Sequence, residues 1–233
     1  PYFKKYGPKA EARLIQKVDH VVCNSSYLAE YAKQFRKEAH YIGQGCDLEN
    51  FDLSIMRSSP KGFPLLDGPI IGYVGSLTSK RLDLSLLEQL VQKQPEWNFV
   101  FVGPEDEAFL NSPLHQMENA YFLGFQPMDQ LANYIEQFDV CINPQLLNQI
   151  CIGNYPRKVD EYLAMGKAVV VSETITMQSF EPYVYLANGV EGYVEKIAQA
   201  LEKAEPTQIQ ERVKFAQSHS WEASIDAIWE VID

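Results

Sequence analysis

The sequence predicts an α/β fold built on a doubly wound parallel sheet, and three observations carry that prediction. Short apolar runs alternate with amphipathic stretches along most of the chain. Some runs, such as Val169-Val170-Val171, are apolar without interruption, which fits strands covered on both faces. Several end at glycine or proline, as at Gly75, Gly103-Pro104, Gly124 and Asn143-Pro144. Strands and helices alternating at this spacing form a parallel sheet with helices on both sides.

Taken in order, residues 18–23 read as a strand and 26–35 as a helix opened by Ser25 or Ser26. Residues 40–42 make another short strand, with Gly43 and Gly45 as a hinge behind it. Pro60, Gly62, Pro64 and Gly68 mark 52–68 as a connecting loop. The regular part begins with strand 69–74, helix 82–92, strand 97–102 and strand 120–123. Helix 128–137, strand 140–142, helix 156–165, strand 168–171 and strand 183–186 follow. Helices over 189–202, 207–218 and 221–232 close the chain.

The 233 residues suffice for one large α/β domain, or for one domain and a fragment. The formal net charge of -11 argues against a duplex-binding face. It leaves room for an anionic ligand, because backbone amides and a few placed cations bind phosphate locally. The four cysteines form no Cys-x-x-Cys pair and the four histidines are scattered, which argues against a zinc site or a disulfide framework. Cys23 and Cys141 sit in apolar runs and read as buried thiols of a reducing, cytoplasmic compartment. No apolar stretch approaches the ~20 residues of a membrane span. The opening residues do not read as a secretory signal, and the start at Pro1 reads as the boundary of a longer chain.

Ligands of doubly wound sheets bind beyond the carboxyl ends of the strands, so 75–81, 103–106, 124–127 and 143–156 are the segments to search. In the first, Gly75 lets the backbone approach a ligand closely, Ser76, Thr78 and Ser79 offer hydroxyls, and Lys80 and Arg81 offer charge. That set suits a diphosphate; the plain alternative is a turn with a solvated Lys-Arg pair. In the last, Pro156 fits the first position of a helix whose free amides attract anions. Lys158 adds charge in the same turn. Glu161, one face-step along, could accept both hydroxyls of a ribose. The plain alternative here is an amphipathic helix with surface charges.

Several runs, in order, resemble landmarks of GT-B glycosyltransferases of the GT4-like kind, also called group 1. They are 71–77 (Ile-Gly-Tyr-Val-Gly-Ser-Leu), 98–104 (Asn-Phe-Val-Phe-Val-Gly-Pro), 121–125 (Tyr-Phe-Leu-Gly-Phe), 138–144 (Phe-Asp-Val-Cys-Ile-Asn-Pro) and 161–170, which opens Glu-Tyr-Leu-Ala-Met-Gly-Lys. Ser220-Trp221-Glu222 resembles the start of the family's last helix, and 18–26 and 41–51 resemble the end of its first domain and the crossover.

The resemblance implies a Rossmann-like C-terminal half of a GT-B fold. Residues 1–50 would be a remnant of the N-terminal acceptor domain, 51–218 the donor-binding domain and 219–233 the C-terminal helix. Glu161 would bind the donor's ribose. Gly75, Ser76, Lys80 and Arg81 would face the diphosphate, and Lys158 with Asn154, Tyr155 and Pro156 would neutralise the leaving group. Gly103, Gly124 and Phe125 would frame the base.

The activity implied is transfer from a nucleoside-diphosphate sugar to a saccharide or lipid-linked acceptor, in cell-surface polysaccharide synthesis. No nucleic acid is expected as partner. Any catalytic base is expected in the N-terminal half, so this chain alone would bind without catalysing. No cofactor is expected, and with no Asp-x-Asp motif, no metal. Membrane contact, at the inner face, would come through the N-terminal domain; Lys4 and Lys5 beside Tyr2, Phe3 and Tyr6 are the only hint here. The rivals are a nucleotide-sugar 2-epimerase, which needs acids and a histidine in the cleft, and a non-catalytic binding module.

Two positions depart from the family pattern. Many relatives carry two glutamates separated by seven residues; the second corresponds to Glu161, and the first falls on Gly153. Many also carry an arginine where this chain has Ser76.

Overall fold

The computed structural model describes residues 2–202 and 204–233. The chain opens with α1 (Tyr2–Lys17), then β1 (Val21–Cys23), α2 (Ser26–Lys33) and β2 (Ala39–Tyr41), the two strands pairing in parallel. Ser25 caps α2: its backbone is extended, and its hydroxyl accepts from the amide of Leu28 at 3.3 Å. Val21, Ala32 and Ala39 give this layer a small core of its own. The sequence reading assigns no element to 2–17. The structure forms α1 there with Pro8 inside it, on an exposed stretch where water can meet the carbonyl that proline leaves unpaired. The side chains of Tyr2, Phe3 and Lys4 lie outside the described residues; Lys5 Nζ stands 5.1 Å over the Tyr6 ring.

The main sheet holds β3 (Ile70–Val74), β4 (Asn98–Val102), β5 (Ala120–Phe122), β6 (Val140–Asn143), β7 (Ala168–Ser172) and β8 (Tyr185–Ala187). Its order is β5-β4-β3-β6-β7-β8, with every neighbouring pair parallel. This is the order of a doubly wound nucleotide-binding sheet, and the winding reverses between β3 and β6. β4, β6 and β7 are buried at every residue, while the edge strands β5 and β8 are only partly covered. That gradient explains why the inner strands read as unbroken apolar runs.

One face carries α3 (Leu84–Lys93) and α8 (Gly189–Ala200); the other carries α5 (Leu131–Glu136), α6 (Lys158–Ala164) and α9 (Pro206–Gln217). α3 shows why the sequence folds this way. Asp83 caps it by accepting from the Leu86 amide, and Leu86, Leu87, Leu90 and Val91 form its buried stripe. Each such side chain contributes roughly 1.5–3 kcal/mol by leaving water. Two short helices, α4 (Glu107–Leu110) and α7 (Ile175–Gln178), occupy segments without an expected element. Their caps, Asp106 and Thr174, accept from Phe109 and Met177. The expected helix over 156–165 begins instead at Lys158, because Pro156 spends its carbonyl on the amide of Val159 in a preceding tight turn. The expected strand at 183–186 forms two residues later, as β8.

The last helix, α10 (Trp221–Ile232), returns to the crossover. Cys46 donates its amide to the carbonyl of His219, and a side chain at Gly45 would collide with the Trp221 ring. The four cysteines are free thiols; Cys46, Cys141 and Cys151 are buried, and burial pushes Cys141 up to about 12. Among the described residues no helix is long and apolar enough to cross a membrane.

Candidate functional site

A cleft of about 540 Å³ opens at the carboxyl ends of β3 and β6, where the winding of the sheet reverses. Its walls include Gly75, Ser76, Thr78, Arg81, Asn154, Tyr155, Pro156, Arg157, Lys158 and Glu161. Two loops and one helix, far apart in sequence, therefore meet at one opening.

The turn after β3 is built on close backbone approach. Gly75 has φ +135° and donates its amide to Val102 at 2.8 Å. A side chain there would strike the Lys158 ammonium, and one at Gly103 would strike the Gly75 carbonyl. Both positions need glycine for conformation and for space. Gly103 in turn donates to the carbonyl of Gly124 at 2.8 Å. Gly103 and Gly124 thus support the turn from behind and are not among the cleft's lining residues.

Lys158 opens α6 and is the central cation of the cleft. Its ammonium meets the Tyr73 hydroxyl and lies 4.0 Å from the centre of that ring. Burial pushes it down to about 7; the Glu161 carboxylate pulls it upward and Arg81 adds to the depression. Burial likewise raises Glu161, against the lowering pull of Lys158 and Arg157. Arg157, Lys158 and the unpaired amides that open a helix bring positive potential to one end of the cleft. Glu161 supplies an acceptor one turn further along. The arrangement suits a ligand that carries phosphate beside a pair of hydroxyls.

Eight of the twelve residues expected from sequence line this cleft: Gly75, Ser76, Arg81, Asn154, Tyr155, Pro156, Lys158 and Glu161. Lys80 does not. The Lys80 carbonyl accepts from Asn148 Nδ2 at 3.1 Å and the Arg81 carbonyl from the Leu146 amide at 2.8 Å; both residues are exposed, and of the two only Arg81 lines the cleft. Phe125 does not either: it is 74% exposed, because Gly124 at φ +65° turns the chain outward before it. Ser79 spends its hydroxyl on Asp106 at 2.8 Å.

Tyr73, Asn143, Gln145 and Arg157 are cleft residues that the sequence reading missed. Asn143 and Gln145 end β6 at the switch point, and that placement was the signal available. Asn143 Nδ2 and Gln145 Oε1 are buried with no protein partner.

Gly153, where the resemblance led us to expect a first glutamate, lies under α2. A Cβ there would stand 2.6 Å from the Tyr27 ring, and Ser25 donates to the Gly153 carbonyl at 3.0 Å. A second cleft of about 380 Å³ opens beside it, lined by Asn24, Tyr27, Gln44 and Gln149 and sharing Asn154, Tyr155 and Arg157 with the first. Among the described residues no group of three or more histidine, cysteine or carboxylate side chains could hold a metal.

A family model described as Glycosyl transferases group 1 matches residues 68–205, more than half of the chain. TuaH of Bacillus subtilis (strain 168), provisionally described as a teichuronic acid biosynthesis glycosyltransferase, is 29% identical over 193 residues. The match takes in 78% of this chain and 47% of TuaH, so the chain spans about half the length of that curated relative. Anabaena HepE, solved in complex with UDP, superposes with a TM-score of 0.76 at 16% identity, over 95% of this chain and 65% of HepE. Sucrose-phosphate synthase from Thermosynechococcus elongatus gives 0.72 at 19% identity, over 94% of this chain and 58% of that enzyme. With the doubly wound sheet and the ordered motifs already described, the match over 68–205 places this chain in the group 1 glycosyl transferases.

Proposed function

We propose that this chain is the donor-binding half of a hexosyltransferase. The whole protein would move a sugar from a nucleoside-diphosphate sugar to a saccharide or lipid-linked acceptor in cell-surface polysaccharide synthesis. One observation carries the reading: the Gly75 turn, Lys158 and Glu161, from separate parts of the chain, line one cleft at the switch point of the sheet. UDP in the HepE structure supports a nucleotide ligand for this fold.

In the transfer, the anomeric carbon becomes cationic while negative charge grows on the departing diphosphate. Lys158, Arg81 and the amides opening α6 are fixed cations and dipoles that stabilise that charge before it forms. On this reading they do the work that a divalent ion does elsewhere, and no cofactor is needed. Glu161 holds the ribose and so sets where the diphosphate falls. Acceptor binding would fall to the N-terminal half, with the protein working in the cytoplasm at the inner face of the membrane. The cleft's lining contains carboxylate and cations but no histidine, which favours transfer over epimerisation.

The test is a thermal-shift and calorimetric screen of uridine, guanosine, adenosine and thymidine diphosphates. A ligand at 100 times its Kd raises stability by ~2.7 kcal/mol. Glu161→Ala is expected to weaken the best ligand about tenfold, for loss of a charged hydrogen-bond acceptor. Failure of every diphosphate to bind, or unchanged affinity in that variant, would refute the reading.

A further inference from the structure

Behind the wall of the cleft lies a buried polar cluster that the donor site does not use. Asp160 precedes Glu161 in α6 and has no accessible surface. Three donors from three parts of the chain surround its carboxylate. His219 Nδ1 lies 2.8 Å from Oδ1, and the Cys46 thiol donates to Oδ2 at 3.3 Å. The Tyr155 hydroxyl stands 3.1 Å from His219 Nδ1. Burial and then the charge and hydrogen bond of Asp160 push that phenol well above its usual range. The rings of Phe180 and Phe215 pack on the imidazole with centroids 5.7 and 4.6 Å away. His219 also accepts the Cys46 amide on its carbonyl at 2.9 Å.

A carboxylate buried this completely is tolerated only where donors meet it. Helix geometry then gives the cluster leverage on the cleft. Consecutive helical residues point about 100° apart, so anchoring Asp160 on the back of α6 fixes the direction of Glu161 on its front. Tyr155 lines the cleft and carries its hydroxyl into the cluster.

We propose that Asp160 and His219 are positioning residues: by locking the rotation of α6 and the place of Tyr155, they set the geometry in which Glu161 meets the nucleoside. The proposal rests on the donor-site reading and adds to it a control point at the junction of the crossover, α6 and α10. Neither residue touches ligand; both act through Glu161 and Tyr155.

The test is calorimetric titration of the 233-residue chain with whichever of the four nucleoside diphosphates binds most tightly. His219→Leu removes the donor to Asp160, and His219→Asn restores one, since its amide nitrogen stands about where Nδ1 does. The leucine variant should bind about tenfold more weakly, and the asparagine variant should recover most of that loss. In a Glu161→Ala background the leucine substitution should add less than about twofold, because coupled residues are not additive. A merely structural role would give the same loss in both backgrounds.

Should the leucine variant fail to fold, Tyr155→Phe keeps the ring, deletes only the hydroxyl, and is read against Glu161→Ala in the same way. Unchanged affinity in a folded variant, or an undiminished loss when Glu161 is already alanine, overturns the proposal. A chain that binds no nucleoside diphosphate overturns the donor-site reading and this one with it. Binding that is lost in Glu161→Ala but untouched at His219 and Tyr155 overturns this one alone.

Discussion

The hydroxyl of Tyr162 accepts the amide of Val74 at 2.7 Å and donates to the carbonyl of the same residue at 3.2 Å. One buried side chain of α6 thereby satisfies both polar groups of the last residue of β3. The next residue is Gly75, so the two walls of the cleft are joined immediately behind the turn. Tyr162→Phe leaves a buried amide and a buried carbonyl without that partner. Such unsatisfied groups cost ~1–3 kcal/mol each, so the variant should unfold at lower denaturant with an unchanged m-value. Its affinity for a nucleoside diphosphate should fall as well, which calorimetry reads separately.

Lys158 gives the site a pH dependence with a definite sign. Its ammonium is held near 7 by burial in the free protein. A bound diphosphate favours the charged form and raises that value. Binding above pH 7 therefore takes up a proton, approaching one per site near pH 8, and affinity falls as the pH rises. The comparison belongs between about pH 7 and 9, because a phosphate loses its own last proton near ~6. Titrations in two buffers of different ionisation enthalpy measure the uptake directly. Lys158→Met should bind weakly and show a flat profile; an unchanged slope in that variant would assign the dependence elsewhere.

Lys80 and Arg81 supply an internal control, since they are adjacent exposed cations of which only Arg81 lines the cleft. Arg81→Ala should cost ~1.5–3 kcal/mol of diphosphate binding, the scale of a charged hydrogen bond, while Lys80→Ala should change little. Arg81 also depresses Lys158, so its removal should move the pH profile to higher pH. Equal losses in the two variants would mean long-range attraction, which salt screens, and would refute a specific contact by Arg81.

What the residues disclosed, and what they hid, follows the range of the forces involved. Caps, glycine turns and unbroken apolar strands are local, and Ser25, Gly75 and Val169 to Val171 were legible for that reason. The sequence pointed to the carboxyl ends of the strands, but the reversal between β3 and β6 is a matter of strand order, which only the folded sheet shows. Lys80 and Arg81 could not be told apart by composition, because only the folded turn, held against a loop some 65 residues away in the chain, brings Arg81 and not Lys80 to the cleft. Phe125 was expected to frame the base beside the Gly124 turn, but that turn leaves it 74% exposed and outside the cleft's lining. Asp160 was hidden by Glu161: two adjacent carboxylates look like one acidic step until the helix turns them about 100° apart, one into the core and one toward the cleft.

At Gly153 the structure leaves no room for the side chain that the resemblance led us to expect. A Cβ at Gly153 would lie 2.6 Å from the Tyr27 ring, so no side chain enters unless α2 or that ring gives way. Gly153→Glu should therefore destabilise the chain by ~1–3 kcal/mol, the usual cost of overpacking. Tyr27→Ala should cost stability on its own by opening a void beside Gly153. Combined, the two should be less damaging than their sum, because the carboxylate side chain occupies the space the ring vacates. The double variant would present an acid to the smaller cleft beside Asn154 and Arg157. Denaturant unfolding of the four proteins in the cycle gives the coupling. A strictly additive result would mean that Tyr27 does not exclude the glutamate.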